Sequence, residues 1–280
     1  MSKYSTAAYK AWTEFRHELD KACDEVGCNE ESGEEPWFRG ESMSTYELLP
    51  SLFRATRRRN LANGKAAITE AQRKEIWEME SDLFWEFSAR ARELFGVIEN
   101  DWDILFAMQH YGTPTRLVDW TEVLGVALYF AVGAKAPAKG ASPCIWVLNP
   151  YELNRQSDWG CDDLLAPDNL GWDDSEEEMY SYSELLLESG IDWDLPVAIY
   201  PRQRNARIHA QRGWFTIHGD KFEPLNMRQQ SEPYLRRVTV SEGAVEYGLQ
   251  FLEDAGLNHY ALFPDLQSLS QHLMQKYKLI

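Results

Sequence analysis

From Val123 to Ala134 the chain is apolar on every face of the helix it predicts. A helix with no polar side has to be enclosed by other elements, so this segment is expected at the centre of the core. Extended to Ala136 the run is still shorter than the roughly 20 apolar residues that span a bilayer. The rest of the chain must therefore supply the enclosure. With 44% hydrophobic residues, 13% aromatics and 11 Trp in 280 residues, it has the apolar surface to do so. No internal repeat and no linker divides the sequence, which predicts a single domain over 1–280.

The formal charge of −17 comes from 45 acidic and 28 basic residues. In bulk it repels nucleic acid and opposes sequence-independent backbone binding. The clearest basic patch is Arg54 with Arg57, Arg58 and Arg59, which could meet phosphates or simply be a solvated loop cluster paired with the acidic excess. Cys23, Cys28, Cys144 and Cys161 form no Cys-x-x-Cys pair and lie near no His cluster, so free thiols and no metal are expected. The N-terminus carries no basic region followed by an apolar one. A soluble, cytoplasmic protein without a membrane partner is the expectation.

Periodicity places the elements. Residues 4–27 repeat Trp12, Phe15, Leu19 and Ala22 at helical spacing, and 70–95 carry a stripe of Ile76, Met79, Leu83, Phe87, Ala91 and Leu94 behind a Thr69 cap. A helix over 101–109 and closing helices over 244–253 and 265–277 follow the same rule. Trp37–Gly40, Arg116–Thr121, Cys144–Leu148, Val197–Tyr200, Gly213–Ile217 and Arg236–Val240 read as strands. Between strand 37–40 and residue 69 irregular chain is expected. Residues 156–190 read as an acidic surface excursion, with a short helix at 176–187 away from any pocket. The fold class expected is α+β, a small mixed or split sheet packed with helices.

Polar residues concentrate in two otherwise apolar neighbourhoods, Trp37-Phe38-Arg39-Gly40-Glu41 and Gln109 to Thr121. Arg39, on a strand beside Gly40, suits a planar grip on phosphate or carboxylate, with the glycine admitting a ligand to the backbone. It also suits an ion pair with Asp119 or Glu41 that holds two strands together. The second segment gathers His110, Thr113, Thr115, Arg116, Asp119, Trp120 and Thr121 ahead of the core helix. If that helix starts near Glu122, its amides and the Thr121 hydroxyl would favour an anion.

Three ordered motifs resemble the FRG domain family over most of the chain. They are Phe38-Arg39-Gly40 with Leu49 to Arg54, Gln109-His110-Tyr111-Gly112 with Pro114 to Thr121, and Leu262-Phe263-Pro264-Asp265-Leu266. Gln211-Arg212-Gly213 is similar to the family's polar turn before a strand. The order of an aromatic-Arg-Gly strand, a Thr-bearing strand and Val126-Ala127-Leu128-Tyr129-Phe130-Ala131 also resembles the ADP-ribosyltransferases. That second resemblance implies an ADP-ribosyltransferase-like fold, NAD as substrate, Arg39 on its phosphate or ribose, and Thr121 shaping the nicotinamide pocket. Gln211 then stands where the family's glutamate would be.

Cleaving the bond from ribose to nicotinamide builds positive charge on the sugar. Asp119 is the candidate to stabilise it, Arg39 and Arg116 to hold the diphosphate, and Trp120 or Tyr111 to stack the ring. Thr115 and Gly40 complete the expected binding set. The resemblance implies a toxin or phage-defence effector with a protein or nucleic-acid acceptor and an inhibitory, antitoxin-like partner. A non-catalytic nucleotide-binding or protein-interaction module is the alternative. A third reading is a hydrolase in which His110 and Asp119 act as acid and base. Arg39, residues 115–121 and Gln211 are expected to line one pocket.

Overall fold

A computed structural model describes residues 5–62, 68–95, 100–134, 140, 142–158, 160–166, 181–185, 193–201, 210–229 and 231–279. The connector 202–209 and most of the acidic excursion lie outside the described residues. In chain order the elements are α1 (Thr6–Glu25), β1 (Trp37–Glu41), α2 (Ser51–Ala62), α3 (Glu70–Phe95), α4 (Asp101–His110), β2 (Leu117–Thr121) and α5 (Leu124–Leu128). α5 runs on as a π-helical turn, Tyr129–Gly133. Then come β3 (Cys144–Leu148), α6 (Pro150–Gln156), α7 (Tyr182–Glu184), β4 (Val197–Ile199), β5 (Gly213–Ile217), β6 (Leu235–Thr239), α8 (Glu242–Asp254), α9 (His259–Leu262) and α10 (Leu266–Lys276). Among the described residues no helix is long and apolar enough to cross a membrane.

Six strands form one sheet in the order β4-β5-β2-β1-β3-β6. Every neighbouring pair is antiparallel, so the sheet is not mixed as the sequence suggested. It is split, however, at its centre. β1 and β3 share five registered pairs, whereas β1 and β2 share only Phe38 with Thr121.

Alternation along the strands sorts the core. On one face, Phe38, Ile145, Val147 and Val238 pack under α1, α5 and α8. Further along the same face Leu117, Phe215, Ile217, Val197 and Ile199 pack under α3, α4 and α7. The opposite face carries Trp37, Val118, Trp120, Trp146 and Leu148, covered by Leu48, Leu153, Leu225 and Tyr234. Two helical clusters on one face thus meet above the line where β1 and β2 part.

Four local expectations are corrected. Residues 51–62 are helical, with Leu52 and Phe53 buried against Ile76 and Phe222. The buried face of α3 is Ile76, Glu80, Phe84, Ser88 and Ala91, while Met79 and Leu94 are exposed. The stripe is rotated because the Glu80 carboxylate is drawn inward by Arg116. The core helix starts at Leu124 and widens into the π turn instead of remaining α-helical to residue 134. Within 176–187, the described helix is only Tyr182–Glu184, and it points inward. Tyr182 is fully buried with its hydroxyl donating to Glu80 Oε1 at 2.6 Å.

Candidate functional site

The split between β1 and β2 opens into a cavity of about 210 Å³. Its walls are Phe38 to Ser42 from β1, Asp119 to Thr121 from β2, Val126, Ala127 and Phe130 from the core helix, and Gln211. Gly40 faces the helix here. A Cβ at Gly40 would lie 2.7 Å from the Ala127 carbonyl carbon and 2.8 Å from the Ala131 nitrogen. The glycine is therefore required for close approach of the protein's own helix to the strand, not for the approach of a ligand as the sequence reading had it.

Arg39 lies in the split. Its Nε donates to Glu41 Oε1 at 2.8 Å, Nη2 lies 2.7 Å from the same oxygen, and Nη1 donates to the Asp119 carbonyl at 2.8 Å. Asp119 Oδ2 is 3.8 Å away. Burial works against the charge on Arg39, but Glu41 and then Asp119 outweigh it and raise the pKa above the usual arginine value. The guanidinium is thus a tie across the split, and the two readings left open by the sequence meet in one residue. Arg39 lines the pocket while pairing with Glu41 and lying beside Asp119.

A second chain of hydrogen bonds holds Asp119. Gln109 Nε2 donates to its Oδ2 at 2.8 Å, and the Thr115 hydroxyl donates to Gln109 Oε1 at 2.5 Å. Thr115 is buried; its backbone N–H donates to the Ser51 hydroxyl and its carbonyl accepts from Leu52 N–H. The first turn of α2 is tied in this way to the carboxylate in the pocket. Asp119 itself remains half exposed.

Thr121 and Gln211 close the other end. The Thr121 hydroxyl donates to the Gln211 carbonyl at 2.6 Å and accepts from Val123 N–H at 3.0 Å. It caps the turn into α5, so its donor is committed within the protein. Gln211 Nε2 donates to the Leu262 carbonyl at 3.0 Å, and the adjoining Phe263 ring stands edge-on to Phe130. The segment around Leu262 and Phe263 is in this way brought to the pocket.

Not all of the expected residues converge. Arg39, Gly40, Asp119, Trp120, Thr121 and Gln211 line the cavity. Thr115 lies behind it. Arg116 does not reach it: the side chain is buried, with Nε donating to Glu80 Oε1 at 2.7 Å and Nη1 to the His218 carbonyl at 2.8 Å. Strand alternation is the reason, since Arg116, Val118 and Trp120 face away from Leu117, Asp119 and Thr121. Trp120 borders the cavity, yet its indole sits in the opposite core and donates to the Thr216 hydroxyl at 3.1 Å. His110 lines a side hollow of about 20 Å³ that shares Asp119, Trp120 and Gln211 with the cavity. Tyr111 is exposed and lines neither space. The aromatic surfaces at the cavity are Phe38 and Phe130. Glu41, one of the two ion-pair partners the sequence offered for Arg39, is the one its Nε bonds, the two residues sharing a strand face at a spacing of two.

The tie makes a prediction. Arg39→Ala strands the Glu41 carboxylate, which is mostly buried, and should cost about 1 to 3 kcal/mol. Arg39→Ala with Glu41→Gln should recover part of that loss in urea unfolding. Additive losses would mean that the two residues are not coupled.

Residues 34–140 match the family model of the FRG domain. The matched span contains β1, the first turn of α2 and the Gln109–Thr121 segment, while Gln211 and the segment at Leu262 lie beyond it. No curated protein and no solved structure matches the chain.

Proposed function

We propose that the β1/β2 pocket takes the nicotinamide end of NAD and that the protein is an ADP-ribosyltransferase-like enzyme. The observation that carries this reading is the placing of two carboxylates, Glu41 and Asp119, around one guanidinium in a strand split beside an apolar slot. Phe38, Val126, Ala127 and Phe130 offer that slot to a flat ring. Asp119, held by Gln109 and half exposed, offers negative charge to a sugar.

The cavity is smaller than the roughly 300–1,000 Å³ of sites that enclose a drug-sized ligand. One end of a dinucleotide would enter, and the remainder would lie across the rim. In the proposed step, the bond between ribose C1′ and the ring nitrogen breaks, and its electron pair goes to the ring, which leaves as neutral nicotinamide. Asp119 stabilises the positive charge building on the sugar. The acceptor's nucleophilic atom then bonds to C1′, losing its proton to Asp119 or to water.

The test is to incubate the pure protein with NAD labelled in the nicotinamide ring. Release of label is expected, and Asp119→Asn should slow it by about 10²-fold or more, the scale of losing one electrostatic stabiliser of a developing charge. Saturable binding without release would favour the second reading, a nucleotide-binding module. That reading is supported by the fact that Arg39 and Asp119 are already held by protein partners. Absence of both binding and release would remove the proposal.

A further inference from the structure

The proposed step leaves the acceptor unnamed, and the hollow beside the cavity bears on what it is. Asp119, Trp120 and Gln211 wall both spaces, and the end of α4 adds Gln109 and His110 to the hollow. Its apolar wall is the pair Phe106 and Phe215, whose rings stack at 5.3 Å. A hollow holds one water when it offers about 10–15 Å³ and two to four polar partners. At about 20 Å³, with a carboxylate, an imidazole and two amides around it, this one has room for a single water and little more.

Asp119 is the charged group common to both spaces. Its Oδ2 accepts from Gln109 Nε2 at 2.8 Å and lies 3.8 Å from Arg39 Nη1. The orientation of the Gln109 amide is fixed from behind. Leu117 N–H donates to Thr115 Oγ1 at 3.2 Å, so the Thr115 proton goes to Gln109 Oε1 and the amide nitrogen is left to meet the carboxylate. Asp119 Oδ1 takes no hydrogen bond from any described residue and is left for a water or a sugar. The Tyr111 ring stands edge-on to His110 at 4.5 Å, which limits how the imidazole can turn at the hollow.

We infer that the side hollow seats the attacking water, and that the pocket transfers the ADP-ribosyl group of NAD to water instead of to a macromolecule. This rests on the reading of the pocket as a site for NAD. The water oxygen bonds to ribose C1′ as the bond from C1′ to the ring nitrogen breaks. The electron pair of that bond leaves with neutral nicotinamide, and one water proton passes to Asp119 and from there to solvent. The products are ADP-ribose, nicotinamide and one proton. His110 is a positioning residue that walls the seat of the water.

Incubation of the full chain with NAD and no added acceptor, in buffer with and without methanol, tests it. Free ADP-ribose should appear mole for mole with nicotinamide. The ratio of methyl ADP-ribose to ADP-ribose should lie about tenfold or more below the methanol-to-water mole ratio, because a seat sized for water resists one further carbon. His110→Ala widens the seat and should raise that ratio severalfold. His110→Asn takes its place if the melting temperature shows the alanine variant to be unfolded. A merely structural His110 would change the rate of nicotinamide release without changing the ratio.

ADP-ribose found only on the chain itself, or only on an added protein or nucleic acid, would overturn the inference and leave the transferase standing. Methanolysis in proportion to the mole ratio, or a product ratio indifferent to the His110 variants, would also overturn it. No release of nicotinamide with or without an added acceptor would remove the reading of the pocket and the inference with it.

Discussion

Arg116→Ala is expected to lower stability by about 3 to 5 kcal/mol, the usual cost of breaking a buried ion pair by removing one partner. Arg116 and Glu80 are almost completely enclosed, at 1% and 3% side-chain exposure. The guanidinium bonds both Glu80 oxygens, the His218 carbonyl and Asp220 Oδ1, and lies over the Phe53 ring at 5.7 Å. Tyr182 adds a donor to Glu80. Burial alone would lower the arginine's pKa, but the Glu80 charge reverses this and holds it above the ordinary value. Truncation leaves Glu80 buried with the Tyr182 hydroxyl as its main donor.

The melting temperature should fall by roughly 10 °C for a domain of this size. Arg116→Met with Glu80→Leu, which removes both charges and keeps apolar volume, should recover most of the loss. A loss below about 1 kcal/mol in the single variant would show that water or another cation reaches Glu80. The network joins α3, the entry to β2, α7 and the segment after β5. Its failure should therefore be global and not confined to the pocket.

Much of this was legible in the sequence. Long periodic segments such as 6–25 and 70–95 were, because one face of each buries apolar side chains and the other does not. All six strands were legible too, since short apolar or aromatic runs end at glycine, proline or polar residues. α2 was hidden because Ser51–Ala62 spends most of its positions on arginine and small residues, and among its described side chains the buried ones are Leu52 and Phe53. The phase of α3 was misread for a related reason. Hydropathy assigns Glu80 to water, and only a partner distant in sequence, Arg116, turns it inward.

The pocket was legible in part. Arg39, Asp119, Thr121 and Gln211 meet in it, and alternation could have separated Arg116 and Trp120 from Asp119 and Thr121 beforehand. The commitment of the Thr121 hydroxyl and the Arg39 tie depend on how β1 and Gln211 fold onto β2. Local spacing carries no record of that.

Gly40→Ala is the second large effect expected, and it bears on why a glycine follows Phe38-Arg39. In open space, replacing glycine by alanine within a strand stabilises a protein by narrowing the unfolded ensemble, by about 0.4 to 1 kcal/mol. Here the new methyl would overlap the Ala127 carbonyl oxygen and sit 2.8 Å from Ala131 N. Both atoms are backbone, and no rotamer change relieves them. α5 and the π turn would have to retreat from β1, loosening Val126, Ala127 and Ala131, which are almost fully buried. Overpacking of this kind costs about 1 to 3 kcal/mol and sometimes more, so the clash outweighs the entropic gain. Because Ala127 and Phe130 also wall the cavity, ligand affinity should fall with stability. Gly248→Ala provides the contrast. Gly248 lies inside α8, where an added Cβ would meet Leu128 Cδ2 at 3.4 Å and Trp12 Cζ3 at 3.5 Å. Those contacts are with side chains that can adjust, and alanine is favoured over glycine in a helix by about 1 kcal/mol. Chemical unfolding of the two variants should therefore give shifts of opposite sign, or a large loss beside no change. Equal shifts would mean that the strand and the core helix do not touch at Gly40 in solution.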